Sequence, residues 1–135
     1  MKRILLLFIG LLLVGGALSA QDVFAPMRDA LKTGNAREVV KFFNASVDMT
    51  IEGSVDSYSS AQAEFVLRDF FKKHPPSDFV IKHTGASKGN AGASKSGSQF
   101  AIGRYTSNND SYTVLILVKD SGGTLLIHEI NFVKE

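Results

Sequence analysis

The sequence predicts an α+β domain in which one long helix lies across an antiparallel sheet, with a pair of shorter helices ahead of it. Three observations carry this. Residues 58–74 form the clearest amphipathic helix in the chain, with Ala63, Val66, Leu67, Phe70 and Phe71 recurring at helical spacing. From residue 79 to the end, four strand-like stretches follow one another through turn residues, and consecutive hairpins imply an antiparallel sheet. Before residue 46, two short helical patterns are joined by Gly34-Asn35, which makes a tight helical hairpin.

The first twenty residues stand apart from this domain. Lys2-Arg3 is a basic start, residues 4–14 are apolar apart from Gly10, and residues 15–20 are rich in small side chains up to Ala20. This is the pattern of a secretory signal peptide cut before Gln21, too short and too abruptly ended for a good spanning helix. Of 135 residues, residues 21–135 then remain as one domain with one core. Cleavage takes two of the fifteen basic residues and none of the thirteen acidic ones, so the mature net charge is zero with neutral His. The expected location is periplasmic or secreted, with no stable membrane insertion after cleavage. A nucleic-acid partner requires clustered Lys and Arg, and none is visible, so none is expected. There is no Cys. The chain is held by packing alone and offers no thiolate for zinc, iron–sulfur or nucleophilic chemistry.

The elements follow in order. Residues 22–33 read as a first helix with Asp22 as cap, Pro26 in the first turn, and Phe24, Met27, Ala30 and Leu31 on one face. Gly34 ends it. Asn35 caps a second helix over residues 36–44, with Glu38 completing a capping box and Val39, Val40, Phe42 and Phe43 buried. Residues 46–52 alternate Val47, Met49 and Ile51 against Asp48, Thr50 and Glu52, a half-buried strand. Gly53 breaks it, and residues 55–58 return. Ser59 caps the long helix, with Gln62 reaching back as a capping box. Lys72, Lys73 and His74 suit the negative end of its dipole, and Pro75-Pro76 stops it. Strands follow at residues 79–84, 99–106, 112–118 and 125–134. Residues 85–97 are polar and of low complexity, with Gly-Ala-Ser-Lys at 85–88 and 92–95, and read as a solvated hairpin tip.

Residues 114–118, Val-Leu-Ile-Leu-Val, are apolar at every position. A strand with one wet face alternates, so both faces of this one are covered. The helices cover one. A partner subunit is the simplest cover for the other, which predicts a homodimer through the sheet.

At this point the pattern resembles the nuclear transport factor two-like superfamily of cystatin-like α+β folds, and within it a family of small exported bacterial proteins of unknown function. The residues that carry the resemblance are 30–35, Phe42-Phe43, Tyr58-Ser59 with Gln62-Ala63, Leu67 with Phe70-Phe71, Ile102-Gly103 with Tyr105, and the closing hairpin. It covers the mature chain and rests on core and capping residues. It implies a curved sheet wrapped around the long helix, a conical cavity and dimerisation through the sheet. It carries no activity, because the superfamily hosts isomerases, dehydratases, transport factors and binding modules alike.

Site residues are weighed on that frame. His128 shares the side of Leu126, Ile130 and Phe132 by alternation, so it is expected to face the interior, where Tyr105 and His83 can join it. An isomerase or dehydratase needs a general base beside a donor that stabilises an oxyanion. The alternative is a histidine held by a neighbouring polar group, and no motif locks an Asp or Glu beside it. His74, His83 and His128 lack metal-ligand spacing, so no metal or cofactor is expected. Residues 85–97 lack the Gly-Lys-Ser/Thr of a phosphate loop and join strand to strand. Phe65 falls on the polar side of the long helix with Arg68 and Lys72, as an exposed aromatic or a contact residue. Two sequons, Asn44-Ala45-Ser46 and Asn109-Asp110-Ser111, matter only in a glycosylating host. The sequence therefore predicts a non-enzymatic binding module for a small apolar ligand or an envelope protein, with His128, Tyr105 and His83 as candidate ligand contacts. The alternative is a cavity enzyme using His128 with Tyr105. A third reading is a filled interior, with the surface as the working part.

Overall fold

A computed structural model describes residues 23–87 and 97–135. The signal peptide expected at residues 1–20, the expected Asp22 cap and most of the expected 85–97 hairpin tip lie outside the described residues. Three helices and six strands follow in the order α1 (Phe24–Thr33), α2 (Ala36–Val40), β1 (Phe43–Ile51), β2 (Ser54–Ser59), α3 (Ser60–Lys73), β3 (Asp78–Ser87), β4 (Ser98–Ser107), β5 (Asp110–Ser121) and β6 (Thr124–Lys134).

Local chemistry sets most of these bounds. Gly34 closes α1 in the left-handed region, φ 69°, where a side chain is strained. In α3 the capping box is complete: the Ser59 hydroxyl accepts from the Gln62 N–H and the Gln62 amide accepts from the Ser59 N–H, at 3.2 and 3.1 Å. Asn35 accepts from the Glu38 N–H at 3.3 Å, but the Glu38 carboxylate turns to Lys41 at 2.9 Å, so the second box is only half made. The second helix is also shorter than its periodicity predicts. It ends at Val40, and Phe43 opens β1 instead. The reason is tertiary: the Ile127 N–H takes the Phe42 carbonyl at 2.7 Å, and Phe43 pairs with Ile127 across the sheet.

The strands form one sheet in the order β2-β1-β6-β5-β4-β3. Hairpins join β1 to β2 and run β3 through β6, all antiparallel. The sheet as a whole is mixed, which corrects the antiparallel expectation, because β1 lies parallel to β6. Hairpin logic cannot see this pair. After β2 the chain crosses one face as α3 and re-enters at the far edge, so the final strand reaches β1 running the same way.

One face of the sheet is packed. Val47, Met49, Phe79, Tyr105, Tyr112, Val114, Ile116, Ile127, Ile130 and Phe132 are at most 1% exposed there. α3 lays Ala63, Leu67, Phe70 and Phe71 onto them, and α1 adds Phe24, Met27 and Leu31. Phe70 is central. Its ring lies 4.7 Å from Phe132, 5.2 Å from Tyr112 and 5.6 Å from Tyr105, so residues of β4, β5 and β6 meet on one side chain. Gly103 has no side chain because Phe79 fills that space: a Cβ would stand 2.8 Å from the Phe79 ring and from the Val80 carbonyl. No described helix is long and apolar enough to cross a membrane.

Phe70→Ala is expected to destabilise the fold by about 3–5 kcal/mol in urea denaturation, through lost transfer energy and the cavity left behind. Phe65→Ala, on the same helix but 66% exposed, is expected to change stability by no more than about 0.5 kcal/mol. Similar losses for both would contradict this account of the core.

Candidate functional site

The register disperses the residues that alternation grouped together. Tyr105 pairs with Tyr112, which pairs with Lys134. His128 lies six residues before Lys134 on the same strand, so it stands on the order of 20 Å from Tyr105. His128 is also the extra residue of a bulge, where Leu117 pairs with Glu129 and Val118 with Ile127. The bulge breaks the alternation: Ile127, Ile130 and Phe132 are the buried set, and His128 is only half-buried. His83 sits on the edge strand β3 opposite Ile102 and is exposed. The structure therefore does not bring His128, Tyr105 and His83 together, and the expected pair of His128 with Tyr105 is not formed.

Tyr105 joins a different polar cluster, at the C-terminal end of α3. Its hydroxyl donates to the His74 carbonyl, one of the last carbonyls that the helix leaves unpaired. The His74 ring sits between two turns. Nε2 lies 3.0 Å from Glu52 Oε1, after β1, and Nδ1 lies 3.4 Å from Asp110 Oδ2, at the start of β5. The Tyr112 hydroxyl is 3.3 Å from the same Nε2. Lys134 Nζ approaches Asp110 Oδ1 at 3.5 Å. A protonated ring donates to both carboxylates; a neutral ring that keeps its Nδ1 proton accepts from Tyr112 instead. Burial pushes the Tyr105 phenol well above its ordinary range, with Tyr112 adding to it. Burial also raises Tyr112, followed by the Asp110 and Glu52 carboxylates. Both phenols are at most 1% exposed, so a substrate has no approach to them. The cluster braces the helix end against two turns. Sequence reasoning missed it because Glu52, His74 and Asp110 are far apart in the chain and share no spacing rule.

The outer face of the sheet is a second candidate. Leu115 and Leu117 point away from the buried Val114, Ile116 and Val118 and remain half-exposed. Directly across from them on β4 are Ile102 and Phe100, also half-exposed. On β6 the same face carries Asn131 opposite Leu115, Glu129 opposite Leu117, and Leu126 opposite Lys119. Val80 and Val133, 43% and 55% exposed, lie toward one end of it. The Asn131 amide donates to Glu129 at 3.2 Å, but its Oδ1 is shut from solvent with no hydrogen-bond partner among the described residues, as is His128 Nε2. This face is thus apolar at its centre and polar at its edges, with an unmet acceptor beside Leu115.

Little of the interior is open. Phe70 and its aromatic neighbours fill the space between α3 and the sheet. A cleft lined by Met49, Ile51, Ser54, Tyr58 and Val66 holds about 150 Å³. Among the described residues, no group of His, Asp and Glu is arranged to hold a metal ion.

Comparison with known proteins agrees with this architecture. The family model described as a domain of unknown function, DUF4783, matches residues 24–133. A DUF4783 family protein from Bacteroides uniformis is 25% identical, with a TM-score of 0.74 over 84% of this chain and 97% of that one. A nuclear transport factor two-like design with a long sheet is similar at 16% identity, TM-score 0.55, covering 79% of this chain and 93% of that one. A domain of unknown function with a cystatin-like fold from Nostoc punctiforme is similar at 13% identity, TM-score 0.55, covering 82% and 71%. The fold is nuclear transport factor two-like, as the resemblance implied. No curated protein matches the chain.

Stability is expected to fall at alkaline pH because of the buried phenols. A tyrosine whose folded pKa lies above its unfolded value of about 10 contributes fully below that pH, and the contribution is lost as pH rises and the unfolded chain ionises first. Tyr105→Phe is expected to make this decline shallower above about pH 10, where the unfolded chain's phenol ionises and the folded one does not. At neutral pH it is expected to cost about 1–3 kcal/mol, by leaving the His74 carbonyl without its donor. Equally steep declines in both proteins would rule the phenol out as the cause.

Proposed function

Because the chain belongs to the DUF4783 family of domains of unknown function, we propose that it is an exported, non-enzymatic binding module that works through the outer face of its sheet, where a second copy of the chain docks. The observation that carries this reading is the half-exposed apolar set Phe100, Ile102, Leu115, Leu117 and Leu126 on three adjacent strands. Water contact with that set is unfavourable at about 25 cal/mol per Å² of apolar surface, and a second sheet laid against it removes the contact. Asn131 Oδ1 adds a polar requirement. Its desolvation without a hydrogen bond costs about 1–3 kcal/mol, which a donor from the partner offsets after a small side-chain rotation.

In this reading the sheet curves around α3, and the hairpin of α1 and α2 closes one side of the core. Export rests on Lys2-Arg3 and the apolar run that follows, with cleavage before Gln21. A small-molecule ligand in a conical cavity is the weaker reading, because ligand pockets span roughly 300–1,000 Å³ and the cleft between α3 and the β1–β2 strands holds about 150 Å³. The enzyme reading is weaker still, given the separation of Tyr105 from His128.

Sedimentation velocity of the chain from Gln21 tests the docking surface. The wild type is expected to run as a dimer. Leu117→Glu is expected to run as a monomer with an unchanged circular dichroism spectrum, because its carboxylate and that of Glu129 directly opposite are like charges that docking would bury together. A wild type that stays monomeric at millimolar concentration rejects the homodimer, and a variant that remains dimeric moves the interface elsewhere.

A further inference from the structure

The three helices leave a cleft of about 370 Å³ on the side of the molecule that carries α2 and the outer turns of α3. The outer-face reading does not use it. Its walls include Gly34 between α1 and α2, Arg37 on α2, and Arg68, Phe71 and Lys72 on α3. Arg68 and Lys72 are four residues apart, so they stand on successive turns of one face. Arg68 is already paired with Glu64. Arg37 and Lys72 have no ion-pair partner among the described residues, as is also true of Lys82 and Lys119 on the sheet, whereas Lys32, Lys41, Lys73, Arg104 and Lys134 each have one. Two uncompensated cations around a concavity raise the local potential and repel each other, and an anion between them relieves both effects. Beside the cleft, the Arg68 guanidinium lies 5.4 Å over the ring of Phe65, which is 66% exposed. The guanidinium covers part of the ring, and most of the side chain remains open to water.

We propose that this cleft and Phe65 form a docking site for an acidic segment of a partner polypeptide, with one carboxylate side chain entering between Arg37 and Lys72 and a neighbouring apolar side chain packing on Phe65. Charge complementarity selects an acidic partner. The shape selects a polypeptide over a bilayer, because the cations line a hollow that a side chain enters and a lipid surface does not. Phe65 selects a polypeptide over a free anion, which has no apolar part to place on the ring. The site lies on the helical side of the molecule, so it is independent of the sheet interface.

The test is an NMR titration of the ¹⁵N-labelled chain with the capped peptide Glu-Glu-Phe-Glu-Glu. Shifts are expected at residues 33–37 and 68–72, with a dissociation constant of about 1 mM or tighter. Raising salt to about 1 M is expected to weaken binding, since both sets of charges are exposed. The double variant Arg37→Glu, Lys72→Glu is expected to bind at least tenfold more weakly, and Phe65→Ala several-fold more weakly. All three positions are exposed, and the unliganded spectrum reports whether each variant is folded. The proposal is overturned if the wild type shows no shifts at these residues up to about 10 mM peptide, or if the charge-reversed variant binds equally well. Inorganic phosphate giving the same shifts at the same affinity would make this a free-anion site. Phosphatidylglycerol vesicles that bind the protein without displacement by the peptide would make it a membrane surface. Either result also overturns the proposal.

Discussion

The insertion of Phe70 among Tyr105, Tyr112 and Phe132 holds the two layers of this fold together. A helix touching a sheet at one point can rotate about it. Here one side chain is contacted by three neighbouring strands at once, while Phe71 approaches Tyr105 from the next position at 6.1 Å. That fixes where α3 lies along the strands as well as how close it comes. The contact is also what uses up the interior. In a protein of this size the same aromatic volume cannot both fill the core and leave a large ligand cavity, and close packing has been chosen.

The polar end of the helix follows from this placement. With Phe70 seated, His74 arrives one turn later at the sheet's end, where its carbonyl meets the Tyr105 hydroxyl and its ring meets Glu52 and Asp110. Each tyrosine contributes twice, as an apolar wall around Phe70 and as a hydroxyl directed at His74. A tyrosine is suited to that boundary because one end is apolar and the other forms hydrogen bonds. The cluster ties the β1–β2 turn, the helix terminus and the β4–β5 turn into one unit. The two tyrosine rings in it are sealed from solvent, so they serve the architecture.

What remains for function lies on two surfaces that the core does not need. The outer face of the sheet presents apolar side chains on β4, β5 and β6, and the helical side presents Arg37 and Lys72, without ion-pair partners among the described residues, around a hollow. One surface suits a flat, extended apolar partner and the other a narrow, charged one. On the proposed reading, a module with both would associate with itself through the sheet and stay free to engage another chain through its helices.

The sequence by itself determined the elements that depend on neighbours in the chain. The α3 stripe, its capping box, the Gly34 stop and the alternation of Val47 and Met49 are all short-range signals, and each has its counterpart in the structure; the apolar run at 114–118 forms a strand whose Leu115 and Leu117 remain half-exposed. Tertiary structure decided the rest. The parallel union of β1 with β6 joins strands about eighty residues apart. It took Phe42 and Phe43 out of the helix their spacing predicted, because β6 offered their backbone hydrogen bonds. The bulge at His128 reversed the alternation that would have placed that residue inside, since one extra residue exchanges the two faces of a strand. For the same reason the site expected from His128, Tyr105 and His83 was not legible, and the His74 cluster was invisible. Periodicity reports which face a residue takes within its own element, whereas a site is set by which elements end beside one another, and that is decided only when the core closes.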